Sequence, residues 1–590
     1  MLHVSSLSFS ALSLAIGLAV SPAAQAYRPA PADALDCAAL GEQLASQEMV
    51  SAALSRSVGK TAIHASAPPP SQKPANTAWI EVAAPAYAPP PAPPSAPSVR
   101  SEPSAASVAI ARPGLPVVRP PERFQPTNTE RYAHYDDNPV KRARENPLST
   151  FSVDVDTGSF TNVRRMLNQQ QRPPTDAVRA EEFINYFDYG LAKPRSRSEP
   201  LRLETELAQS PWNGQRQLLR IAMTGYEPTQ MPAANLVFLV DTSGSMNSAD
   251  KLPLVRQAIC QMLPQLRAQD RISIVTYAGT AGLHLAPTPG NQSRTIYNAL
   301  RQLHASGSTH GSAGIQMAYE QARKHFIRGG VNRVLLATDG DFNVGTVNQQ
   351  ALETLVADQR KHGIALTTLG VGSGNYNEHL AERLADVGDG NYSYLDSLEE
   401  AHRVLVKNMR STLLTIAQDV KLQVEFNPAV VAEYRLIGYE NRLLRDEDFQ
   451  NDRVDAGDVG AGHQVTALYE IARVDSGGTQ LPALRYQPPA TVSAGSNELA
   501  TVSLRYKLPG QSQSQLRQVR IANHVQRGSD AMNLAAAAAA FADALRGGER
   551  IGMPFADIAR LAKNNRSIAD AERTTFVDMI GKAERLIDGE

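Results

Sequence analysis

Between residues 235 and about 410 the chain alternates short, unbroken apolar runs with stretches whose apolar residues recur at helical spacing. The runs NLVFLV, RISIVTYA, RVLLATDG, IALTTLGVG and NYSYLD lack polar alternation, which suits strands covered on both faces. Between them, KLPLVRQAICQMLPQLRAQ, SRTIYNALRQLH, GSAGIQMAYEQARKHF, QALETLVADQRKH and NEHLAERLADVG read as helices. Strand and helix in turn predict an α/β fold with a doubly wound, mostly parallel sheet.

On both sides of this block the period changes to two. LRLETELAQSPWNGQRQLLRIAMTGYE alternates about a turn signal, as a half-buried hairpin does. After the block, Val420, Leu422, Val424 and Phe426 in DVKLQVEF alternate again, followed by HQVTALYEIARV and ELATVSLRYKL. Neither group makes a complete sheet with covered edges. The α/β block is therefore expected to be inserted in a β-sandwich-like domain built from about 200–226 and 413–526. Its first strand starts, and its last helix around SLEEAHRVLVKNMRSTLL ends, at the sheet edge opposite the strand tips, so both connections should lie together. Upstream, ENPLSTFSVDVDTGSFTNVRRMLNQQQ reads as strand, turn and helix, and AVRAEEFINYFDYG as a helix. The end is helical, with a cap signal at Ser529 or Asp530 and a stop at Gly547 and Gly548.

Composition adds the outer segments. MLHVSSLSFSALSLAIGLAVSPAAQA has an apolar run of signal-peptide length and the small-residue pattern Ala24, Gln25, Ala26, which predicts cleavage before Tyr27 and a periplasmic or secreted protein. From about 65 to 122 Pro, Ala and Ser dominate, too poor in apolar area to offset ordering, as in a mobile spacer. The expected order is a signal peptide at 1–26, a disordered linker at 27–125 and a flanking α+β segment at 126–234. The α/β domain at 235–412, a β-rich domain at 413–526 and a helical region at 527–590 follow. Lys+Arg 58 against Asp+Glu 59 gives no electrostatic footprint for nucleic acid or an anionic membrane, and no later apolar run reaches the ~18 residues of a span. Two cysteines are too few for a disulfide scaffold: Cys37 follows Asp36, which disfavours lipidation, and Cys260 reads as a small core residue.

The chemistry concentrates where strands end, because open α/β sheets bind ligands at the carboxyl edge. VFLVDTSGSM carries Asp241, Ser243 and Ser245 directly after a buried strand. Thr309 lies on the Gly-rich loop SGSTHGSAG before a helix, and Asp339 follows another strand in VLLATDGD. Oxygen donors of this kind suit Mg2+ or Mn2+. The ordered set resembles the metal-ion-dependent adhesion site (MIDAS) of von Willebrand factor A-type (VWA) domains. More specifically, the chain resembles bacterial exported VWA proteins that flank this Rossmann-like domain with N-terminal and C-terminal domains of their own. The resemblance implies direct ligation by the hydroxyls of Ser243, Ser245 and Thr309, and ligation by Asp241 and Asp339 directly or through water. An ion so held is under-neutralised and attracts an outside carboxylate. The expected function is a cation-dependent protein-binding module, monomeric, whose unidentified partner presents an Asp or Glu. The rival from another class is an accessory subunit of an ATP-driven chelatase or remodelling complex, for which a cytoplasmic location would be needed.

An echo of the motif, SVDVDTGSF, offers Asp154, Asp156 and Ser159, but Arg165 stands where an EF-hand needs its bidentate Glu. Ser159 or Thr161 is expected to cap the following helix, with a weak second cation site as the alternative. No H-E-x-x-H, Walker loop or G-x-S-x-G occurs, so no enzyme is expected.

Overall fold

The computed structural model describes residues 35–38, 40, 130–153, 156–307, 311–340, 349–474, 476–486, 497–565 and 569–589. The expected leader and residues 41–125 of the expected linker lie outside the described residues.

The β-domain is a sandwich whose first sheet runs in the order Lys141–Arg142, Val431–Ile437, Gln464–Arg473, Arg216–Gly225, Leu201–Gln209, all antiparallel. Its central pairing sets Leu219 opposite Tyr469 and Ala222 opposite Thr466, joining chain from before the α/β block to chain from after it. The α/β domain is thus an insertion. The second sheet has the order Val459–Gly460, Thr415–Phe426, Glu498–Lys507, Gln515–Ala522, and Leu148–Ser152 also pairs with Thr415–Phe426. Alternation along Arg216–Gly225 explains its double burial. Leu219, Ile221 and Met223 enter the core between the sheets, whereas Leu218 and Ala222 face a helical layer on the other side.

That layer contains Gly158–Asn168, Ala180–Asn185 and the C-terminal helices Asp530–Leu545, Phe555–Lys563 and Asp570–Ile587. Ser529 caps Asp530–Leu545 by accepting from the Met532 N–H at 3.1 Å, and the small side chains of Ala535 to Ala540 are all buried by close packing. Ser159 and Thr161 correct the expectation made of them. Both lie inside their helix, which has no side-chain cap; Ser159 Oγ donates to Ala177 O at 2.6 Å and Thr161 Oγ1 to Tyr394 O at 2.8 Å.

The inserted sheet has the order Tyr392–Leu395, Ala365–Val371, Val331–Thr338, Ala234–Asp241, Arg271–Tyr277, Ala281–Pro289. All neighbours are parallel except the last pair. Ala281–Pro289 was not legible as a strand, and its prolines are tolerated because an edge strand needs no donor on its outer side. Leu236, Phe238 and Val240 face the helices Leu252–Met262 and Ser293–Arg301, while Val237 and Leu239 face Gly311–Lys324 and Gln349–Lys361. Both connections to the sandwich meet one short segment: Ala461 N donates to Leu414 O at 2.8 Å and Gly462 N to Tyr226 O at 3.2 Å. The joining helix is interrupted, running as Leu398–His402, a wider π-helical turn Arg403–Lys407, and Met409–Leu413.

The cysteines bring a further correction. Cys37 and Cys260 are disulfide-bonded with Cα atoms 5.7 Å apart. Cys260 is buried as expected, but beside it Leu40 is also fully buried in the α/β core. The start of the expected linker therefore packs on the inserted domain.

Candidate functional site

Asp241 ends the central strand Ala234–Asp241, and Asp339 follows the neighbouring parallel strand Val331–Thr338, so both carboxylates stand at the same sheet edge. Both are fully buried. The chain turns sharply after Asp241 because its Oδ1 accepts from the Ser243 N–H at 2.8 Å. This turn leaves Ser243 buried, Ser245 exposed and their hydroxyl oxygens 3.1 Å apart. Thr309 lies outside the described residues. The residues ahead of it are held against the motif: Ser306 N donates to Thr242 O at 2.7 Å and Gly244 N to Gly307 O at 3.0 Å. Gly340 (φ +87°) takes its left-handed conformation where a Cβ would stand 2.2 Å from Asn377 N, so the chain after Asp339 packs against the next loop of this edge.

The electrostatics of the pair were not legible in the sequence. Burial pushes the Asp241 carboxyl up to about 6, against the hydrogen bonds from Ser243 that lower it and with the Asp339 charge raising it further. Among the described residues Asp241 Oδ2 finds no partner of hydrogen-bond geometry, although the buried Tyr277 hydroxyl interacts with this carboxyl. A buried oxygen in that state costs free energy that a cation would recover. The serine pair fits the same ion, since adjacent ligands of an octahedral Mg2+ at ~2.1 Å are ~3.0 Å apart. Among the described residues no group of three His, Cys, Asp or Glu side chains is placed to hold a metal, so a cation here must use hydroxyls beside the two carboxylates.

One residue at this edge was missed. Lys251 donates from Nζ to Asp339 Oδ2 at 2.9 Å and is buried at the start of Leu252–Met262. Nothing in KLPLVRQA marks that lysine as different from a solvated one; only the sheet order brings it to Asp339.

In the echo motif, Asp156 makes a structural tie. Asp156 Oδ1 accepts from Tyr392 N at 2.8 Å and Oδ2 from Arg442 Nη2 at 3.3 Å, fastening the flanking segment to the edge strand Tyr392–Leu395. Asp154 lies outside the described residues. The flanking segment also reaches the edge that carries Asp241 and Asp339, where Arg131 N donates to Tyr376 O at 2.9 Å and Glu130 Oε1 accepts from Gly374 N at 2.9 Å.

The family model described as "von Willebrand factor type A domain" matches residues 235–408. The one described as "von Willebrand factor" matches 126–220, and the one described as "Uncharacterized protein YfbK, C-terminal" matches 411–586. The protein YfbK of Escherichia coli (strain K12) is 48% identical over 431 residues, covering 71% of this chain and 75% of that protein. Human inter-alpha-trypsin inhibitor heavy chain H3 is 23% identical over 271 residues, 42% of this chain and 29% of its own length. Among solved structures, the von Willebrand factor type A protein from Catenulispora acidiphila covers 66% of this chain and 86% of its own at 15% identity and a TM-score of 0.36. With the VWA domain in place at the inserted α/β block and almost half of its aligned residues shared with YfbK, the chain belongs to the YfbK family of bacterial VWA proteins.

Proposed function

We propose that this protein is an exported, non-catalytic binding module that holds Mg2+ or Mn2+ at the edge of its VWA domain and captures an Asp or Glu side chain of a protein partner. A VWA domain is a protein-interaction or adhesion scaffold, and the finer reading rests on one observation: the buried, unsatisfied Asp241 Oδ2 beside a serine hydroxyl pair at octahedral spacing. Ser243, Ser245 and Thr309 supply hydroxyl oxygens to the ion, and Asp241 and Asp339 bind it directly or through water. The bound ion supplies positive charge for the partner's carboxylate. Export is supported by the leader-like first 26 residues together with the Cys37–Cys260 disulfide, because disulfides persist in oxidising compartments. The same bond counts against the cytoplasmic chelatase-type role. Calorimetry with MgCl2 and MnCl2 on the wild type and on Asp241→Ala tests the site, with binding expected only in the former. Pull-down from envelope extract with and without chelator tests the partner. Equal ion binding by both proteins, or capture that ignores chelation, would refute the reading.

A further inference from the structure

The pairing of Lys251 with Asp339 has no counterpart in the ligand set above. The ammonium donates to Asp339 Oδ2 at 2.9 Å, and the lysine is only 7% exposed. Space for its stem is made elsewhere in the chain: at Gly372 (φ +72°) a Cβ would stand 2.2 Å from Lys251 Cε. Burying a lysine costs side-chain entropy and desolvation, which pairing with a buried carboxylate offsets. A lysine serving only to neutralise the sheet edge would leave Asp241 with the same need, yet the ammonium is fastened to Asp339 and the Asp241 Oδ2 stays unsatisfied among the described residues. Among the described residues the edge therefore holds one carboxylate paired with an ammonium, Asp339, and one paired with no side-chain cation, Asp241.

We infer that Lys251 is a built-in counter-cation of the site, which competes with a divalent ion for Asp339 and keeps the loaded site positively charged toward an incoming carboxylate. This rests on the reading of Asp241, Ser243 and Ser245 as ligands. Two ionised aspartates balance a divalent ion in formal charge, so without a further cation its pull on a partner's Asp or Glu comes from the open coordination position alone. With the Lys251 ammonium added, one formal positive charge remains. The same ammonium weakens ion binding, since even at the dielectric of water a unit charge one carboxylate away from a divalent ion is worth about tenfold in affinity. Lys251 thus trades affinity for the ion against affinity for the partner. In the ion-free protein it holds Asp339 in place, so the empty edge does not carry two uncompensated charges.

The experiment uses the full chain with MnCl2 as the ion and acetate as the carboxylate probe. Ion affinity is read by calorimetry, acetate affinity on the loaded protein by Mn2+ electron paramagnetic resonance, and Tm with and without ion. Lys251→Gln keeps a donor to Asp339 and removes the charge; it should bind Mn2+ about tenfold more tightly and acetate more weakly. Lys251→Arg keeps the charge and should stay within about twofold of wild type in both. A Lys251→Gln ion affinity equal to wild type, while Asp241→Ala loses binding, would overturn the inference and leave the metal site standing. An equal loss of Tm in ion-free and loaded Lys251→Gln, with unchanged affinities, would mark the lysine as structural and also overturn it. If neither wild type nor Lys251→Gln binds Mn2+, the metal site and the inference fall together. Binding by Lys251→Gln alone would support it, the lysine then being the resident cation.

Discussion

Replacing Cys37 with serine opens a covalent ring whose two cysteines stand 223 residues apart. In the chain-entropy account a ring of that size stabilises the folded state by about 5 kcal/mol. Among the described residues, Leu40 is buried in the α/β core, Leu35 packs against it partly buried, and hydrogen bonds of 3.3 Å run from Tyr297 Oη to Asp36 O and from Gln257 Nε2 to Ala38 O. The segment around Cys37 therefore detaches once the bond is gone, while Leu252–Met262 remains packed between the sheet and its neighbouring helices. The expected cost is about 2–4 kcal/mol, within the usual range for a native disulfide. Urea unfolding of oxidised wild type, reduced wild type and Cys37→Ser measures it, and the last two curves should coincide below the first. The bond also changes what proteolysis reports. Cys37 is bonded to Cys260, and Arg131 N donates to Tyr376 O, so the chain is fastened at described residues on either side of 41–129. A cut within 41–129 should release no N-terminal piece on a non-reducing gel and release it on a reducing one. Coincident unfolding of oxidised wild type and Cys37→Ser, with release of the piece before reduction, would refute the tether.

Asp241→Ala should abolish the stabilisation of the wild type by Mg2+, which amounts to about 2.7 kcal/mol at a hundredfold excess over Kd; a retained Tm rise would count against Asp241 as a ligand. Arg216, fully buried, pairs with Glu433 at 3.0 Å and Glu470 at 3.1 Å across the sheet that spans the insertion. Arg216→Met should cost about 3–5 kcal/mol in urea unfolding by removing the guanidinium that Glu433 and Glu470 share, and a loss under ~1 kcal/mol would contradict the network. Burial pushes Asp389 up to about 6, against the lowering effect of Arg360 and with Asp455 and Asp419 raising it. The unfolded value is ~3.9, so the folded state holds the extra proton between about pH 4 and 6 and stability falls as pH rises through that window. Asp389→Asn should remove this fall, gain up to about 3 kcal/mol at pH 7.5 and match wild type below about pH 4; parallel pH profiles would dismiss the assignment.

The inserted α/β domain was legible because strands buried on both faces and helices buried on one leave different periods in the chain, and those periods depend on near neighbours alone. The Ser529 cap was legible for the same reason. Val431–Ile437 was not, because its run is broken by Glu433 and Arg435, charges buried only where Arg216 and Glu470 arrive from other strands. The short VWA motif marked Asp241, Ser243 and Ser245, while the turn bond to Ser243 and the unsatisfied Oδ2 emerged with the folded edge. Lys251 and Cys37 lie further still from the reach of pattern, since their partners are 88 and 223 residues away and nothing beside them in the chain announces the pairing. Periodicity tells which side of an element is covered; what covers it, and therefore which carboxylate is neutralised and which cysteine is bonded, depends on distant segments that only the tertiary structure brings together.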